Sequence, residues 1–161
     1  MKTRDSISLY IFKSKPVIII GLLFLLVNAL WLLTWSSYRC NAQGYQKNSF
    51  LYSQRIGKYS CNVSAPKYLR FRGNYTVANE NGIILIVWPH TFFSWKTDYG
   101  IDFGDGDSGY RFYIDNNINY LRDETMRYSK EEEEAISRIL DENRSEIEDM
   151  FELIENEWGI K

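Results

Sequence analysis

Residues 17–35 form an apolar run with no charged side chain and almost no polar one. As an α-helix this run is about 28 Å long, close to the hydrocarbon thickness of a bilayer. A cleaved signal peptide has a shorter apolar core followed by a small-residue cleavage site, and the run here fits neither criterion. We therefore expect residues 1–16 to be a cytoplasmic tail, residues 17–35 a transmembrane helix, and residues 36–161 one periplasmic domain.

Charge around the run sets the expected orientation. Basic side chains outnumber acidic ones before it: Lys2, Arg4, Lys13 and Lys15 against Asp5. The positive-inside rule then favours a cytoplasmic N-terminus, and Trp31 and Trp35 suit the aromatic belt on the opposite side.

Asn28 is the one strongly polar side chain within the run. Gly21, Asn28 and Trp35 recur at seven-residue spacing, on one face of a helix. Because an amide in hydrocarbon gains from a hydrogen-bonding partner, this face predicts contact with a second membrane helix. The alternative is an asparagine tolerated in a simple anchor.

The only two cysteines, Cys40 and Cys61, both lie on the exported side in this topology. Two thiols in an oxidising compartment usually pair, so we expect an intramolecular disulfide that stabilises the domain. A redox-sensitive or intersubunit bridge is the alternative.

Residues 50–115 are rich in aromatic and β-branched side chains and are punctuated by glycine turns, which indicates short antiparallel strands. Residues 68–77 alternate between apolar and polar side chains, as in a half-buried strand. Residues 83–88 are instead apolar on both faces, and a strand of this kind needs a cover on each side.

The C-terminal segment predicts a long amphipathic helix. Ser129 and Glu132 form a capping-box pattern, and Gly159 is a plausible helix stop. The expected fold class is therefore α+β: one N-terminal transmembrane helix, then an antiparallel β-sheet domain with a long C-terminal helix packed on one face. One helix covers one face, so Ile84, Ile86 and Trp88 are assigned to a partner interface together with Asn28.

The sequence gives little support for catalysis. His90 is the only histidine, which excludes a paired-histidine metal site, and no catalytic set, cofactor motif or nucleic-acid module is present. We expect no enzyme activity, no cofactor and no metal. The crowded carboxylates of the C-terminal helix and His90 are instead candidates for pH sensing. These carboxylates are Glu131, Glu132, Glu133 and Glu134.

Charge is unevenly distributed along the chain. Residues 39–72 include basic side chains and no acidic one, whereas residues 131–157 are strongly acidic. The two regions either pair with each other inside the domain or complement a partner.

In layout, the apolar run at residues 17–35 followed by Cys40, Cys61, aromatic strands and an acidic helix resembles a known family. It is similar to the ToxS-like inner-membrane accessory proteins, and most to the PsaF and MyfF proteins that accompany the transcription regulators PsaE and MyfE. The resemblance implies a non-enzymatic protein of the bacterial inner membrane. Its periplasmic domain would bind, stabilise and activate a transmembrane regulator of fimbrial or virulence genes, with acid as a candidate signal.

Two alternatives stay open. A membrane-anchored immunity protein that inhibits a toxin in the periplasm would have the same layout. The uncovered sheet face could also be buried in a homodimer. In each case the chain contacts membrane lipid and does not itself contact nucleic acid.

Overall fold

The computed structural model describes residues 15–49, 51–91, 94–104, 109–123 and 128–160. The chain begins with one helix, continues through a β-sheet and ends in two helices. The helices are α1 (Lys15–Asn41), α2 (Lys130–Glu142) and α3 (Arg144–Trp158). The strands are β1 (Gln46–Asn48), β2 (Leu51–Ile56), β3 (Tyr59–Ser64), β4 (Asn74–Ala78), β5 (Ile83–Trp88), β6 (Asp98–Phe103), β7 (Tyr110–Ile114) and β8 (Tyr120–Leu121).

The strands form one open sheet of eight, in which each strand pairs antiparallel with the next along the chain. The predicted turns at Gly57 and Gly82 join β2 to β3 and β4 to β5, and both glycines have positive φ, of 57° and 80°. The edge strands β1 and β8 have only three and two residues. Short edge strands offer little backbone for another chain to pair with.

The helices α2 and α3 cover one face of the sheet, which confirms the α+β class. Ile83, Leu85 and Val87 point from the central strand β5 into this core and are fully buried. The apolar stripe predicted for the C-terminal helix meets them. Its buried members are Ile136, Leu140, Ile147, Met150, Ile154 and Trp158.

The C-terminal segment is two helices rather than the single long helix expected. α2 ends at Asn143, where φ and ψ are −111° and 12°, and α3 begins at the next residue. The Asn143 side chain donates a hydrogen bond to the Ile139 carbonyl at 2.8 Å, a local bond that competes with continued helix. The capping box of Ser129 and Glu132 is confirmed, and Gly159 closes α3 in the left-handed conformation.

Helix α1 runs without interruption past the boundary expected at residue 35 and enters the domain. Tyr38 and Ala42 are buried in the core, and the Tyr38 ring stacks on Tyr75 with centroids 5.0 Å apart. Asn41 donates a hydrogen bond to the Tyr75 hydroxyl at 2.8 Å. The end of this helix is therefore part of the domain core.

The strand expected over residues 68–77 is shorter than the alternation predicted. Only Asn74–Ala78 is a strand, and residues 65–73 form a loop. Within it Leu69 is exposed and has a φ of 59°, outside the β region. Alternation alone could not reveal that this segment leaves the sheet to follow α1.

Candidate interaction site

The sheet face opposite the helices carries the residues assigned to a partner interface. Ile84, Ile86 and Trp88 alternate with the buried side chains of β5 and so all three point to this face. Both isoleucines proposed as interface positions therefore lie on the side away from the helices. Within the described ranges, the buried helix residues all belong to the core on the other face.

Trp88 shapes the centre of this face. Gly100 lies beside it on β6, and a Cβ added to Gly100 would come within 3.0 Å of the indole. The Trp88 and Tyr113 rings have centroids 5.8 Å apart. Ile86, which pairs with Gly100 across the strands, is only 8% exposed, although no helix in the described part of the chain covers it. The exposed apolar area is therefore smaller than the sequence alone suggested, because Ile86 is buried and Ile84 and Trp88 are only partly exposed.

Two ion pairs border this aromatic and aliphatic centre. Asp98 accepts a hydrogen bond from Arg72 at 2.7 Å beside Trp88, and Arg111 pairs with Asp102 beside Ile84. Because the charges on both borders are paired, a binding partner would meet the shape and the apolar surface of this centre rather than a net charge. A rim of polar groups around an apolar centre is typical of protein interfaces.

Asn28 is already engaged within the chain. Its side chain donates to the Phe24 carbonyl and accepts from the Tyr68 hydroxyl, both at 2.8 Å. The neighbouring Trp31 donates its indole N–H to the Lys67 carbonyl at 2.9 Å. The domain's own loop thus supplies the hydrogen bond that a second membrane helix was expected to supply.

The predicted bridge between Cys40 and Cys61 is not formed, and both cysteines are free. Cys61 points from β3 into the core with 0% exposure, whereas Cys40 is exposed. Tyr38 faces the sheet, and two residues further along a helix turn a side chain by about 200°, so Cys40 points away. Burial raises the pKa of the Cys61 thiol to about 11, with Glu157 adding to the effect.

The candidate pH-sensing residues are divided between two places. Glu132 accepts from the Ser129 backbone N–H as part of the cap, and Glu133 lies 3.3 Å from Arg122. Glu131 and Glu134 are exposed on the first turns of α2. His90 is exposed in the connection after β5 and lines a cleft of about 400 Å³ against α1.

The basic region meets the acidic helices at one point among the described residues. Lys58 lies 3.3 Å from Glu146 and 3.9 Å from Asp149, both on α3. Other basic side chains of the region pair with acidic groups on the sheet or its turns, as Arg55 does with Glu80. Ion pairs within the chain therefore neutralise part of the basic region.

Sequence reasoning missed two loops beside α1. The first is residues 65–73, which follow this helix. The second is the connection between β5 and β6, in which Trp95 is 92% exposed. Gly73 within an apparently alternating strand was a usable signal, because glycine weakens a strand interior and often marks a close backbone approach.

Comparison with protein-family models, curated proteins and solved structures finds no match to this chain. Along the described residues, α1 is the one helix long and apolar enough to cross a membrane, and its apolar window is not buried against the domain. No three His, Cys, Asp or Glu side chains in the described ranges are grouped as a metal site requires.

Proposed function

We propose that this chain is a non-enzymatic, membrane-anchored binding protein that acts through the helix-free face of its sheet. The observation that carries the proposal is the apolar centre at Ile84, Ile86 and Trp88, which no helix residue in the described chain covers. The short edge strands disfavour strand addition, so the face offers the larger contact surface.

The proposed occupant is the exported domain of a second single-span protein in the same inner membrane. Anchoring both proteins raises their effective concentration, so a modest apolar interface is sufficient for a stable complex. The paired charges around the face match a partner whose contact surface is apolar and nearly neutral.

The family resemblance in layout supports a more specific role for this complex. We infer that the partner is a transmembrane transcription regulator, with both N-termini cytoplasmic and both exported domains periplasmic. Binding outside would bias the association of the regulator's cytoplasmic DNA-binding domain, and this chain would not itself contact DNA.

A photo-crosslinking side chain at position 84 or 88 in the full chain tests the proposal in the native membrane. Adducts are expected to contain a protein with one membrane span and a cytoplasmic DNA-binding domain. Ser60 lies on the same face, two strands away and exposed, and serves as the matched control. Equal adduct yields at positions 60, 84 and 88 would contradict the proposed interface.

A substitution gives the functional readout. Ile84→Asp is preferred to a change at Ile86, because Ile84 is only half-buried and its replacement spares the core. We expect loss of the adduct at position 88 and reduced transcription of the regulator's target genes, whereas Ser60→Asp leaves both unchanged. An adduct between two copies of this chain would assign the face to a homodimer.

The exposed carboxylates of α3 favour a second candidate function. Glu148, Asp149 and Glu152 are exposed on this helix and present a negative surface. An immunity protein that blocks a basic toxin domain in the periplasm would use such a surface. In that case, deleting the chain sensitises cells to a toxin encoded nearby, and Ile84→Asp has no effect on protection.

A further inference from the structure

The loop of residues 65–73, here called the docked loop, lies against the part of α1 that carries the apolar run. It is held there by the hydrogen bonds from Trp31 to Lys67 and from Tyr68 to Asn28. The Trp31 and Tyr68 rings meet edge to face with centroids 5.1 Å apart. The domain therefore extends down along its own anchor.

The position of these contacts on α1 gives the depth of the loop. At 1.5 Å per residue, about 20 Å of helix separates Lys15 from Asn28, and about 24 Å separates Lys15 from Trp31. A hydrocarbon layer is about 30 Å thick. With Lys15 at the inner boundary, these two contacts of the docked loop lie about 6 to 10 Å below the outer boundary.

The exposed side chains of the docked loop suit that depth. Tyr68 is 57% and Leu69 46% exposed. A turn closed by the Arg70 N–H and the Lys67 carbonyl at 2.9 Å holds Leu69 in the left-handed region, with a φ of 59°. A leucine in that conformation is strained. The turn that imposes this conformation keeps the apolar Leu69 side chain outside the core. The Arg70 N–H and the Lys67 carbonyl of the turn are already hydrogen-bonded, which lowers the cost of entering a membrane interface.

Basic side chains flank these apolar ones. Lys67 and Arg70 are exposed on the docked loop, and no carboxylate of the described chain forms a salt bridge with either. Cations beside exposed aromatic and aliphatic side chains are the pattern that binds anionic phospholipid headgroups.

The connection between β5 and β6 repeats this chemistry at the same end of the sheet. β3 ends, β4 begins, β5 ends and β6 begins at this end because all four strands are antiparallel neighbours. Trp95 is almost fully exposed there and is followed by exposed Lys96. His90, in the same connection, lines the cleft shared with Leu30 and Leu33 of α1.

We infer that the docked loop and the Trp95–Lys96 tip seat the domain in the headgroup layer of the membrane that α1 spans. Tyr68, Leu69 and Trp95 reach the acyl boundary, and the neighbouring basic side chains contact anionic phosphates. Trp and Tyr prefer this interfacial depth. The inference rests on the proposed anchoring by α1, and the lipid bilayer is the occupant of this surface.

Spin labels placed on the full chain in phospholipid vesicles measure the depth directly. The parent carries Cys40→Ser, and buried Cys61 is expected to remain unlabelled. Single cysteines are then introduced as Leu69→Cys, Trp95→Cys, Leu25→Cys and Glu80→Cys. Oxygen, which concentrates in hydrocarbon, and a water-soluble nickel chelate serve as the collision probes.

Leu25 reports on the anchor, and Glu80, in the exposed turn at the opposite end of the sheet, reports on water. Labels at positions 69 and 95 are expected to lose nickel accessibility relative to position 80 and to gain oxygen accessibility. Nickel accessibility at 69 and 95 equal to that at 80, with position 25 still in hydrocarbon, overturns the inference and leaves the anchor intact. Nickel access at position 25 refutes the anchor itself. Shielding of position 69 from both probes assigns the loop to a protein contact and also overturns the inference.

Charge reversal tests the headgroup contact separately. In vesicles containing phosphatidylglycerol, Lys67→Glu with Arg70→Glu should increase nickel accessibility at position 69. The matched control is Lys130→Glu with Arg138→Glu, two exposed cations on α2, which should leave it unchanged. Equal effects of the two pairs, or no effect of either, would exclude specific contact with anionic headgroups.

Discussion

At the scale of single residues, the packing of α1 against the sheet depends on the close approach of Gly73 to Tyr38 and Ser64. The Gly73 N–H donates to the Tyr38 hydroxyl at 3.1 Å. A Cβ on Gly73 would lie 2.1 Å from the Ser64 carbonyl oxygen and 2.9 Å from the Tyr38 ring. Any larger residue must therefore displace either backbone or the stacked pair of Tyr38 and Tyr75.

Gly73→Ala is accordingly expected to destabilise the full chain by about 1–3 kcal/mol, the range for inserting atoms into a packed site. Thermal unfolding in detergent micelles measures the change. Gly21→Ala is the control, since nothing lies within 4 Å of a Cβ at that helical position. A melting temperature for Gly73→Ala equal to that of the parent would refute the close packing of Gly73 against Tyr38 and Ser64.

The two thiols are expected to react very differently. Cys40 is exposed, whereas burial shields Cys61 and raises its pKa to about 11, so little thiolate forms at neutral pH. Mass spectrometry after alkylation of the unreduced native protein should show one label, on Cys40, and two labels after unfolding. Absence of any label before reduction would show that the two cysteines pair after all.

At the scale of secondary-structure elements, the start of α2 is the best-defined boundary in the domain. Ser129 accepts from the Glu132 N–H at 3.2 Å, and the Glu132 carboxylate accepts from the Ser129 N–H at 2.6 Å. This reciprocal pair satisfies two backbone donors and orients the helix over β8.

Ser129→Ala should lower the free energy of unfolding by about 1 kcal/mol, the usual effect of losing an N-cap. Chemical denaturation of the full chain measures it. Ser137→Ala, an exposed change in the middle of the same helix, should leave stability unchanged or raise it by a few tenths of a kcal/mol. If the two variants proved equally stable, the cap would contribute nothing.

Elements were predictable from sequence where their signals are local. The alternation and glycine turns gave the antiparallel strands, and the capping box gave the start of α2. The break at Asn143 was missed because the apolar stripe continues across it. The docked loop was missed because its partner, α1, lies more than thirty residues earlier in the chain. Non-local contacts of this kind leave no periodic pattern in the sequence.

At the scale of the whole molecule, stability should depend on acid through a few paired carboxylates. Burial disfavours the charged form of Glu146, but the neighbouring Asn79 amide, the Lys58 ammonium and the hydrogen bond from Asn81 outweigh it and lower the pKa of its carboxyl. The Asp115 pKa is also lowered, chiefly by the side-chain and backbone hydrogen bonds from Asn119.

A folded-state pKa below the unfolded value means that the stabilisation is complete above the unfolded value, 4.5 for Glu146, and is lost as the pH falls through the lower folded-state value. We therefore expect the unfolding free energy, measured by chemical denaturation, to decline as the pH falls below about 4.5. Glu146→Gln should flatten this acid decline. A loss of stability between pH 7.5 and 5.5 would instead implicate the groups first considered for pH sensing, such as His90.

The candidate interface was predictable from the sequence only in part, and the reason is physical. Two-sided apolarity identified β5 as a central strand and placed Ile84, Ile86 and Trp88 on a common face. It could not show that Trp88 lies against Gly100 or that Ile86 is buried, because that packing depends on β6, which pairs with β5 through space.

The uninterrupted course of α1 into the domain core also governs how this protein meets its neighbours. A flexible tether lets a domain tumble about three axes, whereas a continuous helix with its Tyr38 buried in the core, followed directly by buried Ala42, removes two of these rotations. In the proposed anchored state, the sheet would keep one inclination to the membrane and turn only about the membrane normal. Two proteins anchored in this way would search a single angle before their faces align, and each lateral collision would be correspondingly more productive.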